Sequence, residues 1–479
     1  MALTIQRESD DFLYQQVINM IREMEVCGTL SPGDKLPSLR NLSEKLSVSI
    51  PTVRQAYSEL EKQDVIEARP KSGYFLKNAI NQIKAPKRAR LAKRPITVRR
   101  QSLIEEVFEA INKPDIVPLG IANPALVHSS DKALARIMRH VLRQAGSKVV
   151  AYGPIRGHEP LKKQIALSYL EYGLQVNPDE ILITNGAQEA IAIALKTVAK
   201  AGDVIAVESP CYFGILELIE SLDMMALEIP VCPEEGIWLD DLEKGIEDHD
   251  VAACIFASSI SNPIGSFMPD EKRQALVELL ESYDIPLIED DVYGELYFTD
   301  KRGTPAQLYA KKGLVITCAS FSKTVAPGYR IGWLVSNKYM TAAFSIKRAL
   351  SCSSSLLSQW TLSEFIASGE YQRNLRHLRQ VLQAHKDRMI ALVNDAFPKS
   401  TRVSDPKGAG VLWLELPANN DSAELFYAAL DKGISIAPGS IFSASNKFKR
   451  YIRISYGLPW SNELEDAVRT LATLCKSEI

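Results

Sequence analysis

The chain has 479 residues, of which 46% are hydrophobic and 24% are charged, and its formal net charge is −2. This composition is typical of a globular protein and excludes collagen-like and other low-complexity architectures. The sequence has no apolar stretch of membrane-spanning length and no signal-peptide core, and its cysteines and histidines lack metal-ligand spacing. We therefore expect a cytoplasmic protein of two or more domains, with no metal site and no membrane contact.

The first 76 residues predict three short helices followed by a hairpin. Apolar residues recur at helical spacing from Leu13 to Ile21, and Ser38 can cap a second helix. Ser49 can cap a third helix, with Pro51 in the first turn, where a missing N–H costs nothing. The stretch VIEARPKSGYFL then alternates as two short strands around a turn. This arrangement is typical of a DNA-binding winged helix, and a three-helix protein-interaction module is the alternative.

The stretch GTLSPGDKLPSLR has the pattern G-x-L-x-x-G-x-x-L-P-S-x-R and resembles the GntR regulator family over residues 11–76. The resemblance implies a winged helix-turn-helix DNA-binding domain at residues 1–76. The DNA contacts that it implies are Arg40, Ser49, Thr52, Arg54 and Arg69, with Lys35 and Lys71 on phosphates.

The segment from Lys77 to Ser102 contains nine basic residues and no acidic one. The segments on either side are both acidic on balance. A basic, weakly patterned run between them predicts a solvated linker at residues 77–102. Contact between this linker and DNA phosphates is the alternative.

From residue 103 onward, apolar runs typical of buried strands alternate with helical patterns. The runs are EILITNG, DVIAVESP, AACIFAS, IPLIEDD, GLVITCASFS and GWLVS. Buried parallel strands separated by helices predict an α/β sheet that helices cover. Ligands of such sheets bind at the carboxyl ends of the strands, so the polar residues after each run are site candidates.

Four of these runs are followed by candidate side chains. The residues after ILIT, Asn185 to Glu189, begin a helix whose free N–H groups suit a phosphate. Tyr212 follows the second run, where a buried core tyrosine is an equal alternative, and Asn262 follows the third. Asp290 ends an apolar strand, where an acid is costly to bury unless a cation meets it. A protonated pyridine nitrogen would be such a cation.

The stretch SFSKTVAPGYRIGW places Lys323 among small residues. Ser320 and Ser322 offer hydroxyls, and Arg330 offers a forked donor suited to phosphate. A lysine that attacks a carbonyl beside a bound phosphate needs such surroundings. For the motif alone, a loop with a solvated lysine is the alternative.

Together these features resemble the fold-type I pyridoxal-phosphate enzymes, specifically the aminotransferases, whose motif is S-x-S-K-x-x-x-P-G-x-R-x-G. The resemblance spans residues 115–479. It implies an aminotransferase-like domain at residues 103–479, with a mostly parallel sheet covered by helices and a small C-terminal α+β domain. It also implies pyridoxal 5'-phosphate as the cofactor.

The resemblance implies a role for each candidate residue. Lys323, Asp290 and Tyr293 would be catalytic: Lys323 would bond the cofactor's aldehyde, and Asp290 would hold the pyridine nitrogen. Tyr293 and Asn262 would bind the ring hydroxyl, and Tyr212 would stack on the ring. The residues that would hold the phosphate are Ala187, Gln188, Ser320, Ser322 and Arg330.

Two further residues concern the substrate and the assembly. Arg453, in YIRISYG, would bind a substrate carboxylate together with Asn262. Tyr152, in AYGPIRG, would reach the phosphate in a neighbouring subunit, which implies a homodimer.

A GntR-type winged helix joined by a basic linker to an aminotransferase-like domain resembles the MocR subfamily of bacterial transcriptional regulators. The resemblance implies a regulator that binds operator DNA and senses pyridoxal phosphate, an amino-acid-like effector, or both. The alternative is an active aminotransferase, converting an amino acid to a 2-oxo acid, that carries a DNA-binding tether.

Overall fold

The computed structural model describes residues 12–26, 34–46, 48–62, 65–69, 72–76, 85–98, 102–111, 113–124 and 130–476. The chain divides into two compact units, residues 1–83 and 84–479. Within the described ranges, no helix has the length and apolar character needed to cross a membrane. The same ranges contain no cluster of histidine, cysteine and acidic side chains that could hold a metal ion.

The N-terminal unit has a helical part and a hairpin. Its elements are α1 (Leu13–Val26), α2 (Leu39–Leu46), α3 (Ile50–Lys62), β1 (Ile66–Arg69) and β2 (Gly73–Leu76), the two strands being antiparallel. Both predicted helix caps are confirmed: the Ser38 hydroxyl accepts from the Asn41 amide at 3.2 Å, and Ser49 accepts from the Thr52 amide at 3.3 Å. One face of each helix is buried in a common core that includes Val17, Leu42, Val53, Tyr57 and Leu60.

The large unit contains a main sheet and a small sheet. The strands of the main sheet are β3 (Ile96–Thr97), β4 (Ile181–Thr184), β5 (Val204–Ser209), β6 (Met225–Cys232), β7 (Gly236–Ile237), β8 (Val251–Phe256), β9 (Leu287–Asp290), β10 (Val315–Ser320) and β11 (Gly332–Val335). The strands of the small sheet are β12 (Arg402–Val403), β13 (Val411–Glu415), β14 (Ala437–Pro438) and β15 (Tyr451–Ser455). The helices are α4 (Ser102–Ile111), α5 (Asp131–Ala145), α6 (Glu159–Leu170), α7 (Ala187–Val198), α8 (Phe213–Ser221), α9 (Leu239–Asp248), α10 (Asp270–Ser282), α11 (Met340–Leu350), α12 (Leu356–Ala367), α13 (Glu370–Ala396), α14 (Ser422–Leu430) and α15 (Asn462–Leu474).

The strand order of the main sheet is β3-β6-β5-β8-β9-β10-β11-β4, and β7 pairs with β6. The pairs from β6 through β10 are parallel, as predicted. The prediction was wrong for GWLVS, because β11 is antiparallel to both β10 and β4. The chain between β10 and β11 is a loop rather than a crossover helix, and a direct return produces an antiparallel neighbour.

Alternate residues of the central strands point to opposite faces, and both faces are covered. On β9, Leu287 packs in a cluster with Leu276 of α10, whereas Ile288 packs in a second cluster with Ile191 of α7. Apolar residues are needed on both sides of such a strand, which explains the continuous apolar runs in the sequence.

Part of the basic segment packs on the large unit. The Lys87 amide donates to the Glu415 carboxylate at 2.8 Å, and the Arg88 guanidinium lies 4.2 Å from the ring centroid of Trp238. Further along, β3 pairs with β6. Residues 85–98 of the predicted linker therefore lie on the large unit, while its residues 77–84 and 99–101 fall outside the described ranges.

Tyr57 connects two elements of the N-terminal unit. It is fully buried on α3, and its hydroxyl donates to the Pro37 carbonyl, just before α2, at 2.8 Å. Tyr57→Phe should lower the stability of this unit by about 1–2 kcal/mol, because the partly buried Pro37 carbonyl loses its donor. Hydrogen exchange of the α3 amides in the full chain measures this loss. Tyr14→Phe, which removes a half-buried hydroxyl from α1, is the control, and equal effects in both variants would contradict the prediction.

Candidate functional site

A cavity of ≈ 360 Å³ lies at the edge of the main sheet where its parallel strands end. Residues that follow β4, β5, β8, β9 and β10 line it, because these strands run in one direction. β11 runs the other way and begins at this edge, so that Arg330, just before it, also reaches the cavity. Arg453 comes to the same cavity from β15 in the small sheet.

The cavity gathers most of the residues predicted to hold cofactor and substrate. They are Ala187, Gln188, Tyr212, Asn262, Asp290, Tyr293, Ser320, Ser322, Lys323, Arg330 and Arg453. Tyr152 differs, because its side chain is 91% exposed and does not line the cavity of its own chain. Its contact with a neighbouring subunit stays a prediction.

Lys323 follows β10, and its Nζ donates a hydrogen bond of 2.7 Å to the Ala122 carbonyl. Burial lowers the pKa of this amine to about 8, and the positive charge of Arg453 acts in the same direction. Asp290 opposes the shift because its negative charge favours the ammonium form. Near neutral pH, the neutral form that attacks a carbonyl is therefore far more abundant than in an ordinary lysine.

Two carboxyl groups that line the cavity have raised pKa values. Burial raises the pKa of Asp290 to about 6, although the Val292 amide and Lys323 both oppose the shift. Burial also raises the pKa of Glu208, at the end of β5, and the nearby Asp290 adds to that shift. Among the described residues, Glu208 Oε1 has no hydrogen-bond partner. A cationic ring nitrogen beside Asp290 would restore its ionised form.

The predicted phosphate cradle lies at the N-terminus of α7, which begins with Ala187 and Gln188. The first N–H groups of a helix have no partner within it and are suited to bind an anion. Gly186 precedes the helix with a φ of 87°, a left-handed conformation that favours glycine. A Cβ there would also collide with the Arg330 guanidinium, whose Nη2 donates to the Asn185 carbonyl at 3.0 Å. Arg330 thus adds a positive charge beside the helix N-terminus.

Close backbone packing fixes this cradle against the sheet. A Cβ at Gly332, the first residue of β11, would lie 2.5 Å from the Gly186 carbonyl carbon, so only glycine permits this approach. The Glu189 carboxylate accepts from the Asn185 amide at 2.5 Å and from the fully buried Lys347 at 3.3 Å. The anion-binding backbone is therefore positioned by the protein itself.

Arg453 is buried where a substrate carboxylate is predicted to bind. Its Nη1 donates to Asn262 Oδ1 at 3.0 Å and its Nη2 to the Gly120 carbonyl at 2.6 Å. Its Nε has no partner within the described ranges. The guanidinium carbon lies 5.0 Å from the ring centroid of Phe442 and 6.0 Å from that of Phe213. Since these partners are neutral, the charge stays available for a carboxylate.

The predicted DNA-reading residues of the N-terminal unit lie at the start of α3. The hydroxyls of Ser49 and Thr52 are 2.8 Å apart. Arg54 is exposed on the same helix, whereas Val53 and Tyr57 are buried. The helix therefore separates its predicted reading residues from its core residues, as binding in a DNA groove requires.

The remaining predicted DNA contacts, Arg40 and Arg69, lie on α2 and in the hairpin, and Lys35, predicted on a phosphate, lies just before α2. Lys35 forms a β-bridge with Phe75, and the Arg69 guanidinium lies 4.4 Å from the ring centroid of Phe75. Arg69 and Arg40 each pair with a nearby carboxylate, at 2.6 Å and 3.3 Å. Such exposed pairs contribute little stability, so a contact with DNA can replace the carboxylate of either arginine. Lys71 lies outside the described residues.

Comparison with known proteins relates both units to families. Residues 114–471 match aminotransferase class I and II, and residues 13–76 match the bacterial regulatory proteins of the gntR family. The chain is 34% identical to YjiR of Escherichia coli, an uncharacterized HTH-type transcriptional regulator, over 96% of this chain and 97% of that protein. YdcR of Escherichia coli, also named an uncharacterized HTH-type transcriptional regulator, is 35% identical over 97% of this chain and 99% of its own length. The chain belongs to the MocR subfamily of GntR-type regulators.

Solved structures similar to this MocR-type regulator include two aminotransferases. The kynurenine aminotransferase of Pyrococcus horikoshii is 24% identical with a TM-score of 0.73, over 78% of this chain and 94% of that chain. LysN, the α-aminoadipate aminotransferase of Thermus thermophilus, is 26% identical with a TM-score of 0.72, over 78% of this chain and 94% of that chain. These similarities establish an aminotransferase fold.

The cavity residues of this MocR-type regulator fit pyridoxal 5'-phosphate. The amine of Lys323 suits its aldehyde, the cationic ring nitrogen would offset the raised pKa of Asp290, and the cradle beside Arg330 suits its phosphate. When bound, this cofactor supplies an electron sink for bonds at the α-carbon of an amino acid. Lys323 would supply the attacking amine, Asp290 the counterion for the ring nitrogen, and the start of α7 with Arg330 the phosphate anchor.

Two parts of the cavity wall were missed in the sequence. Glu208 ends an apolar strand, and the reasoning that singled out Asp290 applies to it equally. Val107, Phe108 and Ile111 of α4 also line the cavity. Apolar residues on a helix give no signal that separates a cavity wall from an ordinary core face.

The lowered pKa of Lys323 predicts how cofactor capture depends on pH. Because only the neutral amine reacts, the rate should rise about tenfold per pH unit below pH 8 and level off above it. Stopped-flow absorbance after mixing cofactor-free protein with pyridoxal phosphate measures this rate, and borohydride reduction then identifies the modified lysine. A small alkylamine in solution is the control and should keep reacting faster up to about pH 10. A rate that still rises there in the protein, or trapping at another lysine, would contradict the prediction.

Proposed function

We propose that the protein is a pyridoxal-phosphate-dependent transcription regulator whose large unit senses an amino-acid-like effector. One chain carries both an exposed reading helix and a cavity that combines Lys323, Asp290, Arg330 and Arg453, and this combination supports the proposal. YjiR and YdcR, which are named as transcriptional regulators, match over almost the whole chain and so support both parts.

The cavity favours an effector that has both an amine and a carboxylate. Lys323 would hold the cofactor through its amine, and the amine of an effector would compete for the same position. Arg453 offers a buried positive charge and an Nε without a partner among the described residues. Both side chains line one cavity of ≈ 360 Å³, so that a single small amino acid can reach both.

An active aminotransferase with a DNA-binding tether is the second candidate. Lys323, Asp290 and Arg453 line the cavity together, and these are the side-chain types that transamination requires. Turnover itself has no use for a winged helix, and this difference favours the regulator.

We also propose that the regulator acts as a homodimer in the cytoplasm, where it meets its operator. A single winged helix contacts few phosphates, so two half-sites are needed for useful affinity. Val150 and Tyr152 are 84% and 91% exposed, so both are accessible to a second subunit, whose phosphate site Tyr152 would then reach.

Arg54 is expected to read a base edge. Arg54→Ala should weaken binding to operator DNA by about 1–3 kcal/mol and relax the sequence preference at one position. Operator fragments selected with the full-length protein and measured by fluorescence anisotropy provide the test. Ser58→Ala, on the same exposed helix, is the control, and equal affinities of the two variants would remove Arg54 from the reading set.

Lys35 provides a contrast because it is expected to contact a phosphate. Lys35→Ala should weaken binding to all sequences alike and reduce the slope of log affinity against log salt by about 1. A change in sequence preference would instead place Lys35 at a base.

Effector binding at Arg453 and operator binding should be coupled. Linkage requires operator DNA to change effector affinity by the same factor as the effector changes operator affinity, typically about 5–150-fold. Calorimetric titration with a panel of amino acids, with and without operator, measures how operator DNA changes effector affinity. Operator titration with and without the same amino acids measures the reverse effect. Arg453→Ala should abolish effector binding and leave basal operator affinity intact, whereas Arg376→Ala on α13 should change neither. Equal effector affinities with and without DNA would rule out the sensor and favour the tethered aminotransferase.

A further inference from the structure

One wall of the cavity is apolar and comes from the first helix of the large unit. Val107, Phe108 and Ile111 of α4 line the cavity. The same helix buries Ile104 in the main core and receives a hydrogen bond at Glu106 from the hydroxyl of Tyr427, at 3.1 Å. This wall is therefore fixed in place by contacts on the rest of its helix.

Phe213, at the start of α8, extends the apolar wall of α4 toward the edge of the cavity where the parallel strands end. The rings of Phe108 and Phe213 meet edge-on, with centroids 5.6 Å apart. Phe213 directly follows Tyr212, the residue predicted to stack on the cofactor ring, and lies 6.0 Å from the Arg453 guanidinium carbon. The apolar surface thus begins beside the predicted carboxylate site. Phe108 itself is 46% exposed.

The charged side chains that line the cavity are few within the described residues. The cations are Lys323, Arg330 and Arg453, which suit the aldehyde, the cofactor's phosphate and the effector's own carboxylate. No cation of the described lining is then left for a second carboxylate. An acidic side chain would lie against apolar groups without a cation to pair with it, which is unfavourable.

From this arrangement we propose that Val107, Phe108, Ile111 and Phe213 form a side-chain subsite. It selects an α-amino acid with an uncharged, apolar side chain. This inference rests on the proposed function, because it assumes that the amine and the carboxylate of the effector reach Lys323 and Arg453. Phe108 is the specificity-determining residue, since its ring lines the cavity and meets the ring of Phe213 edge-on.

The test is calorimetric titration of the cofactor-loaded full-length protein with L-phenylalanine, L-leucine, L-alanine and L-glutamate. Phenylalanine and leucine should bind at least about tenfold more tightly than glutamate, because burying the apolar side chain is favourable and burying a second carboxylate is not. Phe108→Ala should weaken phenylalanine binding about tenfold and alanine binding less than about twofold, since a methyl group does not reach the subsite. Leu308→Ala, with a similarly exposed apolar side chain outside the cavity, should change neither.

A gain-of-charge variant provides a second test that does not depend on loss of packing. Phe108→Arg should reverse the preference in favour of glutamate, because it supplies the missing cation. Tighter binding of glutamate than of phenylalanine by the unaltered protein, binding of none of the four amino acids, or equal effects of Phe108→Ala on phenylalanine and alanine would each overturn the subsite.

Failure of the subsite can be distinguished from failure of the proposed function. Operator affinity is measured in parallel with the same amino acids. If phenylalanine binds through Phe108 but leaves operator affinity unchanged, the subsite stands and the sensor does not. If glutamate binds instead and shifts operator affinity, the sensor stands and the subsite is wrong.

Discussion

The direction of the strands in the main sheet is the constraint on which the whole cofactor cavity depends. Parallel strands bring their carboxyl ends to one edge, and Asp290 and Lys323 meet there although each follows a different strand. The antiparallel β11 does not disturb this arrangement but completes it, because its amino end brings Arg330 to the same edge. A parallel strand at that position would have carried the arginine to the opposite edge.

The electrostatics of the cavity suit a ligand that carries both charges. Asp290 and Glu208 are acids whose surroundings favour the neutral form, and Lys323 is an amine whose surroundings do the same. These groups are poorly solvated, and the protein compensates their charges only in part. A molecule with a cationic ring nitrogen and an anionic phosphate would pair the first with Asp290 and the second with Arg330.

The sequence was most informative where chemistry requires an unusual residue type at a strand end. Asp290, Lys323 and the glycine-bounded start of α7 could be predicted because acids, amines and glycines stand out against apolar runs. The orientation of β11 could not be predicted, because a short buried strand has the same apolar composition in either direction. The packing of residues 85–98 on the large unit could not be predicted for a different reason. Its contacts join residues distant in sequence, such as Lys87 and Glu415. A basic composition, moreover, is typical of a solvent-exposed segment rather than of one packed on a domain.

The pairing of β4 with β11 affects the order in which the protein folds and binds its cofactor. These strands are about 150 residues apart in the chain. Their pairing brings Gly332 against Gly186, and it brings Arg330 beside the predicted phosphate cradle. During synthesis the cradle cannot exist until both strands have left the ribosome and docked, and such non-local pairings form late. The cofactor should then bind only after this pairing has formed. Because a ligand that binds only the native state stabilises it, cofactor binding should make the completed fold more stable.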